Sequence, residues 1–240
     1  MLSGLGLAAG SGAADIPDYA RAALAAFNPS APTRWAYTLT TRRNDREVTE
    51  RFDPALPPDN RWTLLATDGH PPSADETAAY GGTRSGGQSM PQAPFQPADI
   101  DPASLVLVRE DAERGEFTAT FTAPAVHGDR MLGHLQLHLT IARQNPGVEK
   151  YTLVLQAPYT PVIGVKMHQL NVVATFAPPS VDRPSLPATC HSVFSGRIFF
   201  LFSIEENLKL TYADFARRPC LPPFSGAAIT VDIILQSTGL

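Results

Sequence analysis

The chain contains two cysteines, Cys190 and Cys220, and an even number suits a disulfide in an oxidising compartment. Residues 194–204 and 208–215 have the composition of strands, and residues 205–207 have that of a turn between them. Folding back at this turn brings position 190 opposite 220 or 222, within reach of a bond after a modest adjustment. We therefore predict a disulfide between the two cysteines. Two free buried thiols are the alternative.

Histidines are the other candidate ligands, and their spacing gives no metal site. No His-x-x-x-His pair lies on a predicted helix. His134 and His138 would share one face of a strand about 13 Å apart, which is too far to bind one ion together. We interpret them as a polar pair facing solvent. His168 lies in a long predicted strand, with no partner evident from the sequence.

The motifs of nucleophilic and cofactor chemistry are missing as well. The sequence contains no Gly-x-Ser-x-Gly elbow and no Gly-x-x-x-x-Gly-Lys phosphate loop. The glycines at 4, 6 and 10 imitate a dinucleotide fingerprint but lack the strand that must precede one. We therefore nominate no catalytic residue and no cofactor. A hydrolase whose Ser, His and carboxylate meet only in the folded chain stays a less favoured alternative.

Composition limits the partners of the protein. Its 240 residues are 43% hydrophobic and 18% charged, which suits one domain with one good core. The formal net charge of -4 provides no basic field for nucleic acid, so we expect none as a partner. No run of 18 apolar residues occurs, so we predict no transmembrane helix.

The first residues resemble the end of an export signal. Residues 2–9 are Leu, Ala and Gly, and small residues follow up to Ala14. This order is typical of the apolar core and cleavage region of a secretory signal, with a disordered Gly/Ala tail as the alternative. We predict that residues 1–14 are a signal-peptide remnant and that residues 15–240 form a single β-rich domain. The location that follows is periplasmic or secreted.

Helical signals are few and short. An Ala-rich helix is predicted over residues 15–27, with Asp15 and Pro17 as start signals. A second helix should begin at a capping box formed by Ser73 and Glu76 and run to about Tyr80. Residues 81–102 then contain four Gly and four Pro, which predicts a flexible loop.

The rest of the chain reads as strands. The fold class predicted is mainly β (α+β), a curled antiparallel meander or half-open barrel of about ten or eleven strands with two or three short helices. Residues 198–202 (IFFLF) are apolar on both faces, so a strand there needs covering on both sides. The predicted strands span residues 34–41, 47–52, 62–66, 105–109, 116–122, 134–142, 149–157, 162–176, 194–204, 208–215 and 229–235.

One hairpin can be predicted residue by residue. With its turn at residues 145–147, Arg143 would pair with Glu149 and Leu139 with Leu153. In this register the apolar residues share one face, and Thr140 pairs with Thr152 on the other. A slip by one residue would move each apolar side chain to the wrong face.

A motif near residue 70 has mainly structural features. Trp62 and Leu64 alternate into a core, Asp68 and Gly69 form a turn, and Ser73 with Glu76 caps the next helix. The run from Trp62 to Ser73, followed by Glu76 and Tyr80, resembles a motif of uncharacterised exported proteobacterial proteins. Those proteins are similar to the periplasmic lipoprotein carriers of the lipoprotein-localisation superfamily. The resemblance implies a half-open antiparallel barrel whose helices plug a concave side that holds acyl chains.

The function expected is a non-enzymatic periplasmic binding or carrier protein for a lipid or other apolar ligand. A curled sheet with a helix across its mouth can enclose an apolar cavity, although side chains could also pack that face solid. The alternative is an interaction module of the cell envelope, which would bind another protein through a sheet edge or through residues 81–102.

Overall fold

Eleven antiparallel strands form one sheet in the computed structural model, which describes residues 16–29, 34–84, 94–199 and 202–218. The strand order is β3-β2-β1-β11-β10-β9-β7-β6-β5-β4, and the short β8 also pairs with β9. The strands are β1 Trp35–Arg43, β2 Arg46–Phe52, β3 Trp62–Thr67, β4 Val106–Glu110, β5 Arg114–Ala119, β6 Leu135–Ala142, β7 Gly147–Leu155, β8 Tyr159–Val162, β9 Val165–Ala177, β10 Leu186–Ile198 and β11 Phe202–Arg217. The helices are α1 Asp18–Ala26, α2 Ala74–Arg84 and α3 Ala123–Gly128.

This architecture confirms the predicted mainly β class, the antiparallel pairing, and the number of strands and short helices. The curvature differs from the prediction. The sheet is open and uncurled, with β3 at one edge and β4 at the other. The apolar face is covered by α1 and by the irregular segment at residues 94–105, so burial of this face does not require the sheet to curl.

The buried side chains lie on one face of the sheet in two groups. The main core lies beneath α1 and includes Leu137, Leu139 and Leu153, which are fully buried. A smaller group at the β1–β2–β11 end, here called the aromatic cluster, consists of Tyr37, Leu39, Phe52, Leu210 and Tyr212. Strict alternation of buried and less buried positions along β6, and from Tyr37 to Thr40 in β1, produces this arrangement.

Helix α1 packs on β6 and β7 through small residues. Ala20 and Ala23 are buried against the sheet, and their short side chains let the helix approach closely. Phe27, just after the helix, lies edge-on to Phe176 with ring centroids 5.2 Å apart. Of the helices in the described segments, none has the length and hydropathy that crossing a bilayer requires.

Helix α2 begins at the predicted capping box and continues four residues past Tyr80. The Ser73 N–H donates to Glu76 Oε2 at 2.8 Å, and the Glu76 N–H donates to Ser73 Oγ at 3.2 Å. Residues 85–93, within the predicted flexible loop, lie outside the described residues. The remainder of that segment contributes to the main core, because Phe95 and Ile100 are buried there.

The β6–β7 hairpin has the predicted faces in a different register. Leu139 pairs with Tyr151 and Leu137 with Leu153, two residues away from the predicted partners. Opposite Thr140 and Ile141, β7 has a bulge at Glu149. Pairing then continues to Ala142 with Gly147, so Gly147 lies in β7 and not in the turn. A side chain at Gly147 would clash with Pro179, 2.9 Å from the ideal Cβ position.

The predicted salt bridge between Arg143 and Glu149 does not form, and each residue pairs with a different partner. Glu149 pairs with Arg114 at 2.7 Å, and Arg143 lies 3.4 Å from Glu110. Both bonds tie the hairpin to the β4–β5 pair instead of closing its own turn.

The β10–β11 hairpin contradicts the predicted turn at residues 205–207. The last pair before the turn is Ile198 with Phe202, so the chain reverses between these two residues and the acidic residues lie inside β11. The predicted strand through this apolar run is therefore wrong, because β10 ends at Ile198 and β11 begins at Phe202. Phe199 and Phe202 are exposed and not covered. The predicted signal remnant, residue Cys220 and the strand at 229–235 lie outside the described residues.

Candidate functional site

A continuous row of side chains links the two buried groups across five strands. Direct cross-strand partners run from Leu139 to Tyr151, Ala174, Cys190 and Leu210. The Cys190 side chain packs against both the main core and the aromatic cluster. The two groups are thus parts of one apolar surface, and Cys190 lies at their junction.

The Cys190 thiol lies close to two tyrosines. Ala174 separates it from Tyr151, and this small residue leaves the larger side chains free to approach each other above it. Tyr212 is a diagonal neighbour on β11. Burial raises the pKa of the Cys190 thiol. Burial also raises the pKa of both phenols, and the nearby Cys190 raises them further, so all three groups are neutral near pH 7.

A band of partly covered apolar side chains surrounds this junction. We call it the half-buried strip, and it consists of Leu170, Val172, Cys190 and Leu208. The strip lies between the two covering helices, since α1 packs on β6 and β7 and α2 packs on β3. The hydroxyls of Tyr151 and Tyr212 beside it have no hydrogen-bond partner among the described residues.

The aromatic cluster closes one end of the strip, and the predicted Trp62 packs against it. The ring centroids of Phe52 and Trp62 are 5.0 Å apart, and those of Tyr37 and Tyr212 are 5.7 Å apart. Leu64 is half-buried on β3 beside this cluster, paired with Glu50. The motif residues 62 and 64 thus contribute to packing at the β3 edge.

The rest of the motif builds the connection from β3 to α2. Asp68 and Gly69 have positive φ angles of 49° and 80°, which is the backbone that the predicted turn requires. The Asp68 carboxylate accepts a hydrogen bond from the Glu47 N–H at 2.7 Å and so fixes the turn to β2. Hydrogen bonds from Ser73 lower the pKa of the Glu76 carboxyl, so the box is strongest when that group is ionised.

Sequence reasoning missed one buried polar residue, Glu50. Its side chain is 2% exposed on β2, and its Oε1 accepts a hydrogen bond from the Tyr80 hydroxyl on α2 at 2.7 Å. The alternation of Val48, Glu50 and Phe52 on one face was a signal that could have placed it inward. This bond holds α2 against the sheet next to the aromatic cluster.

Cys190 itself carries a free thiol in the part of the chain that the structure describes. It pairs with Leu210, so the predicted register opposite 220 or 222 is wrong. The reason is the earlier chain reversal, which shifts β11 relative to β10. Cys220 lies outside the described residues, so the disulfide between Cys190 and Cys220 stays a prediction. The strand register from which it was predicted no longer supports it.

The histidines do not assemble a reactive group among the described residues. His134 lies in a 3-10 turn and stacks on Tyr159 at 4.0 Å, so it does not share a strand face with His138. His191 Nε2 lies 2.8 Å from Asn207 Oδ1. Within the described segments there is no group of three metal-ligating side chains and no His bonded to both Ser and a carboxylate.

The opposite face of the sheet is polar. A row of threonines crosses five adjacent strands, and two of its pairs, Thr40 with Thr49 and Thr175 with Thr189, approach within 3.2 Å and 2.7 Å. The open pockets there, of about 480 and 330 Å³, contain several charged and polar side chains such as Arg42, Lys209 and Glu116. The half-buried strip on the other face is therefore the stronger candidate for an apolar ligand.

Comparison of the chain with protein-family models, curated proteins and solved structures finds no match.

Proposed function

We propose that this protein is a non-enzymatic binding or carrier protein for a lipid or other apolar ligand. The observation that supports the proposal is the half-buried strip, where apolar side chains between α1 and α2 are only partly covered. Burial of apolar surface is favourable in proportion to its area, so an acyl chain laid along this strip would gain from both contacting surfaces.

The chemistry of the strip favours an uncharged ligand segment. Its members offer carbon atoms and one thiol, and the neighbouring phenols stay neutral near pH 7 because their pKa is raised. A charged ligand group would lose water there without gaining a charged partner. Because the sheet is open, the ligand would lie along its face and not inside a barrel.

A periplasmic or secreted location belongs to the same proposal. The signal-like start and the resemblance to lipoprotein carriers support it. In that setting, an apolar molecule crossing an aqueous space needs a protein to shield it, which is the task that the strip would perform.

A displacement experiment with a fluorescent fatty acid tests the proposal. We expect the wild-type protein to bind the probe, and Val172→Trp to weaken binding about tenfold or more, because the indole would fill the strip. Val173→Trp is the matched control, since this neighbour lies on the polar face and is also partly buried. Circular dichroism and thermal melts of both variants establish that they are folded.

The proposal fails if the wild-type protein neither binds the probe nor retains an apolar molecule in native mass spectrometry. It also fails if Val172→Trp and Val173→Trp weaken binding equally, because the site would then lie elsewhere.

A second candidate is an interaction module of the cell envelope, favoured by the edge strand β4. Val106, Leu107 and Val108 there are 52%, 38% and 63% exposed. An exposed apolar edge strand can add a strand from another protein. The segment 81–102 is a weaker docking element, because Phe95 and Ile100 already belong to the main core. This candidate becomes the leading one if the fatty-acid experiment finds no binding.

A further inference from the structure

Two turns at one end of the sheet expose large apolar side chains side by side. We call this surface the tip, and it consists of Val162, Ile163, Phe199 and Phe202. Their side chains are 60%, 97%, 64% and 65% exposed. Scattered exposed apolar residues are ordinary on soluble proteins, but four on two adjoining turns form a patch that calls for a partner.

The two turns are fixed to each other. The Phe199 N–H donates to the Gly164 carbonyl at 2.6 Å. The Phe199 ring packs directly on Gly164, because a Cβ atom there would lie 2.7 Å from Phe199 Cε1. Gly164 also has a φ of 86°, which the two-residue β8–β9 turn requires and which favours glycine. The backbone that carries the exposed side chains of the tip is therefore held in one conformation.

Cationic side chains lie directly behind the tip. Arg197 and Lys166 are cross-strand partners on β10 and β9, and like charges in such positions repel each other. Neither forms an ion pair within the described part of the chain. Together with His168 they line a pocket of about 140 Å³ next to Gly164.

The strand segments that form the tip contain no acidic side chain. The sequence contains no Asp or Glu from 151 to 181 or from 183 to 204. The nearest carboxylate on β11, Glu205, lies opposite Ser195 and makes no ion pair with Arg197 in the described structure. The tip therefore combines an apolar end with a positive rim, although the whole chain has a net charge of -4.

We propose that the tip docks the protein on a membrane surface that contains anionic phospholipid. The apolar side chains would enter the boundary of the acyl region, and Lys166 and Arg197 would contact lipid phosphates. In a bilayer the anionic phosphates lie above the apolar acyl region, in the same order as the cations and the apolar side chains of the tip. A protein partner is less suited, since the tip is too small for a stable protein interface. This inference does not depend on the apolar-ligand function.

Co-sedimentation with vesicles tests the proposal. We expect the full chain to bind vesicles of phosphatidylcholine with phosphatidylglycerol and to bind phosphatidylcholine alone much more weakly. Lys166→Gln should lower partitioning onto the anionic vesicles about fivefold, the effect of one cation near such a surface. Phe202→Ser should lower it about tenfold by removing apolar burial.

Val181→Ser is the matched control, because Val181 is fully exposed outside the tip. This variant should bind the vesicles like the wild type, and thermal melts should show that all variants are folded. The proposal is overturned if the wild type does not bind anionic vesicles, or if the Phe202→Ser and Val181→Ser variants bind equally.

Self-association that Phe202→Ser abolishes, without any vesicle binding, would assign the tip to a contact between copies and would also overturn the proposal. Fatty-acid displacement in vesicle-free solution reports on the strip separately, so the two proposals can fail independently.

Discussion

Cys190 lies where the two buried groups meet, and its thiol has a raised pKa because of burial. The thiolate is the reactive form, so alkylation should need a higher pH than for a free cysteine. Folding favours the neutral thiol. The contribution of this group to stability is therefore present below the pKa of an unfolded cysteine and is lost as the pH rises through the folded value.

This argument gives a prediction for alkylation by iodoacetamide in a Cys220→Ser background. At pH 8 we expect native Cys190 to react about tenfold or more slowly than the same residue in denaturant, as mass spectrometry would record. The midpoint of rate against pH should lie above that of the denatured chain. Equal rates in both states would show that the thiol is not buried as described.

Local chemistry was predictable from the sequence, whereas contacts between distant residues were not. The Ser73–Glu76 box spans three residues, so its spacing alone was sufficient to predict it. The hydrogen bond from Tyr80 to Glu50 joins residues 30 positions apart, and no local pattern relates them. The Tyr151–Cys190–Tyr212 group depends on the register of four strands and was missed for the same reason.

Among the elements, strand faces were predicted better than strand registers. Alternation placed Leu137, Leu139 and Leu153 on the inner face, where they are buried. A shift by two residues preserves every face, so alternation could not distinguish the observed register of β6 and β7 from the predicted one. The β10–β11 turn was misplaced because Glu205 and Glu206 resemble turn residues, whereas the reversal occurs within an apolar run.

Docking of α2 provides a test at this scale. Tyr80→Phe removes a donor from a buried carboxyl, so we expect the free energy of unfolding to fall by about 1–3 kcal/mol. Urea unfolding would measure this change. Tyr159→Phe is the control, because the Tyr159 hydroxyl has no hydrogen bond to a described residue. A loss in the control as large as that in Tyr80→Phe would contradict the role assigned to the bond.

Across the whole molecule, the antiparallel class followed from the composition and the spacing of short strands, but the open shape did not. Curvature depends on how helices and loops cover the sheet, and Phe95 and Ile100 do so from a segment that reads as a loop. The tip could not be predicted from the sequence for a related reason. Residues 198–202 are apolar on both faces, which predicts a covered strand unless the position of the turn is known.

The two buried groups differ in size, and this should appear in hydrogen exchange. The main core involves many more side chains than the aromatic cluster at the β3 edge. Regions with fewer buried contacts open at lower free energy. We therefore expect amides of β1, β2 and β3 to exchange faster than those of β6, β7 and β9, as mass spectrometry of peptic fragments would measure. Uniform exchange across the sheet would contradict this division.

The unequal size of the two buried groups, which meet at Cys190, has a consequence for the lifetime of the protein in the cell. A molecule bound across the junction would touch both groups and would raise the cost of opening the weaker one. Proteases attack opened segments, so the empty protein would be degraded from its β3 edge sooner than the loaded one. Under the proposed function, the abundance of the protein would then follow the supply of its apolar ligand.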